Sequence, residues 1–141
     1  MRTDWNPRAW LTLLGVLSVV NALSPALADD WPRWRGPRGD GVWRETGIIE
    51  KFSSPQLPIV WRKEISAGYT GPTLADGRVF VADRVIKPKQ IERVHCFDAA
   101  TGKDIWSRSY DCAYRKISYD AGPRAAIAID GGRAYSLGAM G

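Results

Sequence analysis

The stretch Asp98-Ala99-Ala100-Thr101-Gly102-Lys103-Asp104-Ile105-Trp106 decides how the chain reads. An alternating run, Ile91-Glu92-Arg93-Val94-His95-Cys96-Phe97, leads into Asp98, and a second run leaves through Trp106 to Tyr110. A short polar segment carrying Gly between two such runs predicts a β-hairpin. With the turn centred on Thr101, antiparallel counting sets Cys96 opposite a position close to Trp106 and Cys112 opposite one close to Gln90.

Working upstream, Thr73-Leu74-Ala75 and Arg78-Val79-Phe80-Val81-Ala82 flank Asp76-Gly77. Asp-Gly between two apolar runs is a strong signal for a two-residue hairpin of the primed type. Lys87-Pro88-Lys89-Gln90 then predicts an exposed turn before the run at Ile91. Residues 73–110 therefore predict four short antiparallel strands joined by hairpins, with no helical periodicity between them. That is a β-meander, the unit from which a propeller blade is made. Ile59-Val60-Trp61-Arg62-Lys63-Glu64-Ile65 predicts one further strand before it.

Downstream the pattern restarts. Gly122-Pro123 answers Gly71-Pro72, and residues 125–129 answer the strand before Asp76. Asp130-Gly131-Gly132-Arg133 answers Asp76-Gly77-Arg78, with one more residue expected in the turn. Trp61 and Trp106 stand 45 residues apart, inside the roughly 40–50 residue period of propeller repeats. The reading is an all-β chain: a closing strand at residues 59–65, a full four-stranded blade at 73–110 and half a blade at 122–141. About one and a half blades are thus expected, a fragment of a ring that closes with about 4–8 of them.

The N-terminal residues predict a secretory signal. Arg2 and Arg8 precede an apolar stretch from Leu11 to Leu23, Pro25 interrupts it, and Ala26-Leu27-Ala28 offers the small residues of a cleavage site. The stretch is short of the roughly 20 residues a membrane helix needs, so residues 1–28 are expected to be removed, leaving no stable span in an exported, periplasmic or envelope protein. Residues 29–58 follow as an irregular arm rich in Trp, Arg, Gly and Pro, a composition that excludes regular structure.

The chain of 141 residues carries a formal charge of +5, with the basic residues interspersed. No block of like charge marks a nucleic-acid tail, so no nucleic-acid partner is expected. His95 is the sole histidine and lacks companions for a metal site. Gly102-Lys103 is not a phosphate-binding loop, because Asp104 replaces Ser or Thr and the earlier Gly is missing. Asp76, Asp98 and Asp130 are explained by turn chemistry. Cys96 and Cys112 are expected as free thiols, since the register holds them farther apart than the roughly 7 Å a bridge allows.

These residues also carry a resemblance. Cys96 to Trp106 resembles the A-x-D-x-x-T-G-K-x-x-W signature of pyrroloquinoline-quinone-like (PQQ-like) β-propeller repeats, with Cys in place of the leading Ala. Trp31-Pro32-Arg33-Trp34-Arg35-Gly36-Pro37, Tyr110-Asp111-Cys112 and Gly122-Pro123-Arg124 are similar to an exported bacterial subgroup of that family. The resemblance implies that Asp98, Thr101, Gly102, Lys103 and Trp106, with Trp61, form the structural repeat signature, each Trp docking on the neighbouring blade. Asp76, Gly77, Asp130 and Gly131 would shape the blade turns. The family includes BamB-type assembly scaffolds and quinoprotein dehydrogenases. The first implies a non-catalytic scaffold that binds protein partners through propeller loops. The second implies an oxidoreductase using PQQ and calcium. Residues 29–141 contain no Asn, a usual ligand of that calcium, and no vicinal Cys pair, so no catalytic residue and no cofactor is assigned here.

Overall fold

In the computed structural model, residues 29–48 and 50–141 are described; the signal-peptide expectation for residues 1–28 lies outside them. The described residues form an all-β structure without a helix. Strands β1 (Thr73–Ala75), β2 (Arg78–Val85), β3 (Ile91–Asp98) and β4 (Asp104–Asp111) make one antiparallel sheet in the order β1-β2-β3-β4. Strands β5 (Ala128–Asp130) and β6 (Arg133–Tyr135) pair as a second, two-stranded sheet.

Each hairpin follows from its turn residues. Asp76 and Gly77 have φ of 50° and 66°, and Ala75 pairs with Arg78 across them. Positive φ at both central residues defines the primed turn whose twist suits flanking strands. The second sheet turns at Gly131 and Gly132, with φ of 53° and 73°, and Asp130 pairs with Arg133. The extra turn residue expected there is absent: Asp130 is the last residue of β5, and two glycines occupy the positive-φ sites that Asp76-Gly77 fill upstream.

The β3–β4 connection is built on Asp98. Its Oδ1 accepts from the Thr101 backbone N–H at 2.8 Å and from the Thr101 hydroxyl at 2.6 Å, and its carbonyl accepts from Gly102 N–H at 2.8 Å. These local donors hold the carboxyl below its ordinary range, the Thr101 hydroxyl contributing most. Cys96 pairs with Trp106, as counted, and Cys112 N–H donates to the Gln90 carbonyl at 3.1 Å. The register then shifts, since Phe97 pairs with Asp104 and Ile105 bulges out of β4.

Alternation divides the sheet into two faces. One face carries Leu74, Val79, Val81, Asp83, Arg93, His95 and Phe97. The other carries Ala75, Phe80, Ala82, Arg84, Glu92, Val94 and Cys96, and most of the core lies here: Ala75, Phe80, Ala82, Val94 and Cys96 pack with Ile127, with Trp106 and Ile129 against them. The connector after β4 covers this face. Ile127 is fully buried, and its carbonyl accepts from the Thr73 hydroxyl at 2.7 Å. Both cysteines are buried and free.

Two segments expected outside the sheet are sewn to it. Trp31 bridges β1, donating to the Leu74 carbonyl at 2.8 Å and accepting from Leu74 N–H at 3.2 Å, while the Pro32 carbonyl accepts from Ile129 N–H at 2.7 Å. The arm thereby joins the two sheets. Residues 59–65, expected as a strand, have no ladder partner among the described residues and are not strand; extended backbone becomes a strand only by pairing. Gly122-Pro123 packs on residues 67–69, where Tyr69 N–H donates to the Pro123 carbonyl at 2.9 Å and a Cβ on Gly122 would lie 2.5 Å from the Ala67 oxygen. Gly71 meets nothing comparable, so the two Gly-Pro pairs occupy different surroundings.

Candidate interaction site

The uncovered sheet face is crossed by residues 59–66, and Trp61 meets the Asp98–Gly102 turn there. Trp61 donates its indole N–H to the Ala99 carbonyl at 2.8 Å. Its ring lies on Gly102, where an added Cβ would stand 2.7 Å from the indole. Gly102 also holds φ at 70°. Glycine is required here twice, by the backbone conformation and by the ring pressed against it. Thr101 and Asp98 freeze the turn that presents this surface. Lys63 follows on the same face, pairing with the Asp104 carboxylate and lying 5.3 Å from the Phe97 ring centre. That pair is largely exposed and holds Asp104 below its ordinary range through the Lys63 hydrogen bond.

Beside Trp61 the face opens into an apolar groove of about 590 Å³, lined by Trp31, Ile65, Leu74, Val79, Val81 and Phe97 among others. At its far end the face turns polar. Asp83 is fully buried, and Arg93 grips it from the paired position on β3, Nε to Oδ1 at 2.8 Å with Nη2 on the second oxygen. Ser66 N–H donates to the same carboxylate at 2.6 Å. The His95 Nε2 lies 3.1 Å from Asp83 Oδ1 but is not aligned for a hydrogen bond, and the imidazole stacks on Phe97. Burial pushes the Asp83 carboxyl up, while Arg93, the Ser66 N–H and the imidazole together bring it below its ordinary value.

A second buried carboxylate ties down the covered face. Glu92 is fully buried and accepts from both the Tyr110 and Tyr114 hydroxyls and from Ala139 N–H at 3.1 Å. Burial again opposes ionisation, and the two phenols and the amide outweigh it, so Glu92 stays below its ordinary value. The reciprocal effect raises the phenols: burial first, then Glu92, push Tyr110 to about 12 and Tyr114 higher still.

Of the residues singled out by sequence, Asp98, Thr101, Gly102 and Trp61 converge at one place. Lys103 contributes backbone, its N–H donating to the Thr101 hydroxyl at 3.4 Å. Trp106 does not sit on a turn of this kind; it packs on Phe80 with ring centres 5.9 Å apart. Asp76, Gly77 and Gly131 shape hairpins at the sheet ends, while Asp130 ends a strand. Sequence reading missed the Asp83–Arg93–Ser66 and Glu92–Tyr110–Tyr114 clusters. Their signal was present as charged residues at inward positions of runs such as Val79-Phe80-Val81-Ala82-Asp83. No group of three or more metal-ligating side chains with suitable geometry occurs among the described residues.

No family model, curated protein or solved structure matches the chain.

Proposed function

We propose that this chain is part of an exported PQQ-like β-propeller that serves as a non-catalytic scaffold for protein partners. The observation carrying this reading is the seat of Trp61 on Ala99 and Gly102. A signature Trp from one module, resting on the Thr-Gly turn of the next, is the docking that the repeat resemblance implies. On this reading β1–β4 are one blade, β5 and β6 begin a second, and Trp106 is the docking residue for a turn in that following module. The apolar groove beside Trp61 is then a face that a neighbouring blade covers.

The scaffold assignment is supported by where the carboxylates are used. Asp83, Glu92, Asp98 and Asp104 are each engaged by groups that hold chain segments together. Binding through loops at the two ends of the blades needs none of them as acid, base or metal ligand.

The test uses the full gene product purified from the cell envelope. In vivo crosslinking followed by isolation should recover a specific protein partner, lost when loop residues are replaced and the fold retained. Reconstitution with PQQ and Ca²⁺ should give no dye reduction. Quinone-dependent dye reduction would overturn the scaffold reading in favour of an oxidoreductase.

A further inference from the structure

We infer that the cleft beside Arg84 is a binding site for a small phosphoryl oxyanion, an inference independent of the propeller reading. Arg84 is only 5% exposed. Its guanidinium lies 3.7 Å from the Tyr114 ring centre, Nη1 donates to the Asp120 carbonyl, and Nη2 donates to Gln90 Oε1. All of these partners are neutral. Among the described residues no carboxylate lies within ion-pair distance of Arg84. The directly opposite residue, Glu92, spends its oxygens on Tyr110, Tyr114 and Ala139. A buried cation without an anion is costly, and Arg84 Nε has no acceptor among the described residues. Two of the five guanidinium donors are used, which leaves three.

A cleft of about 410 Å³ opens against this guanidinium. Its walls add the exposed Lys116, Ser118 and the apolar residues Ile86 and Ile117. Asp120 also lines it and is the one acidic residue there. Arg115 and Arg124 lie in the same connector, and Lys87 in the adjoining turn, so the surrounding chain is basic. The cleft lies at the sheet end where the β2–β3 turn and the connector after β4 come together. A phosphoryl group suits it: Arg84, Lys116 and Ser118 all line the cleft and are residue types whose N–H and O–H groups donate to phosphoryl oxygens, and its charge would compensate Arg84.

The full chain is titrated with inorganic phosphate by calorimetry at constant ionic strength, alongside Lys116→Gln and Arg84→Lys. Saturable binding that weakens about tenfold in Lys116→Gln is expected for loss of one charge-assisted contact. Lys116 is exposed, so circular dichroism of that variant should match the parent, and the inference remains testable even if Arg84→Lys fails to fold. Acetate runs in parallel. Absence of saturable phosphate binding, equal binding by Lys116→Gln, or a response to acetate without one to phosphate would each overturn the assignment.

Discussion

The Trp61 indole rests on the bare α-carbon of Gly102, with its N–H on the carbonyl of Ala99. This contact joins a segment that makes no ladder among the described residues to the hydrogen-bonded Asp98–Gly102 turn of the four-stranded sheet. Gly102, like Gly36 under Trp31, is a turn glycine whose missing side chain is replaced by a tryptophan ring.

Gly102→Ala should therefore cost more than Gly77→Ala. Both positions have positive φ, 70° and 66°, which penalises an L side chain by about 1–2 kcal/mol. At Gly77 nothing lies within 4 Å of the new Cβ, so that penalty is the whole expected loss. At Gly102 the Cβ collides with Trp61, adding about 1–3 kcal/mol of overpacking. Urea midpoints of the two variants measure the difference, and equal losses would show that the ring yields freely.

Acid should weaken the fold through Asp83 and Glu92. Both have folded-state values below their ordinary 3.8 and 4.5. A carboxylate lowered in the folded state contributes stability that is complete above its unfolded value and disappears as pH falls through the folded one. Stability should thus decline as pH drops below 4.5. Glu92→Gln should be less stable at neutral pH and show a shallower decline across that window. An unchanged acid slope in this variant would mean that Glu92 does not contribute to it.

Alkali acts through the phenols with the opposite sign. Tyr110 and Tyr114 are raised from an ordinary 10.0, Tyr110 to about 12. A raised folded value gives stability that is present below the unfolded pKa and is lost as pH rises through the folded one. Spectrophotometric titration should show late-ionising tyrosines, one fewer in Tyr110→Phe, and Glu92→Gln should bring the remaining shifted phenol down. Ionisation of all tyrosines near their ordinary value would contradict the cluster.

The arm offers a contrast between two tryptophans. Trp31 bridges β1, packs under Gly36 and lines the groove, whereas Trp34 is 75% exposed. Trp31→Ala should cost about 2–4 kcal/mol, toward the lower part of the range for large aromatic truncations because the ring is half-buried. Trp34→Ala should stay within about 0.5 kcal/mol. Thermal melts of the two variants compare them directly, and equal stability would show the Trp31 seat to be dispensable.

Much of the sheet was legible because local chemistry and tertiary structure agree there. Asp76-Gly77 admits one kind of turn, and the alternation from Ile91 to Phe97 fixes which side chains point inward, so the Cys96–Trp106 register followed by counting. Residues 59–65 have the composition of a strand, and among the described residues nothing pairs with them, so they are extended without a ladder. The turn at Gly131-Gly132 was set one residue out because Asp-Gly looked like the same signal as upstream, while two consecutive glycines supply positive φ more readily. The polar clusters stayed hidden for a different reason. Glu92 meets Tyr114 and Ala139, and Asp83 meets Ser66, only after the connector, the residues following β6 and the approach segment fold over opposite faces, and no local pattern encodes that meeting.

A double-mutant cycle on Trp61→Ala and Gly102→Ala, read as urea-unfolding free energies, tests the central contact most directly. If the indole docks on this turn, Gly102→Ala should cost about 1–3 kcal/mol more in the parent than in the Trp61→Ala background, where only the backbone penalty remains. The same cost in both backgrounds would contradict the docking and, with it, the repeat-to-repeat reading built upon it.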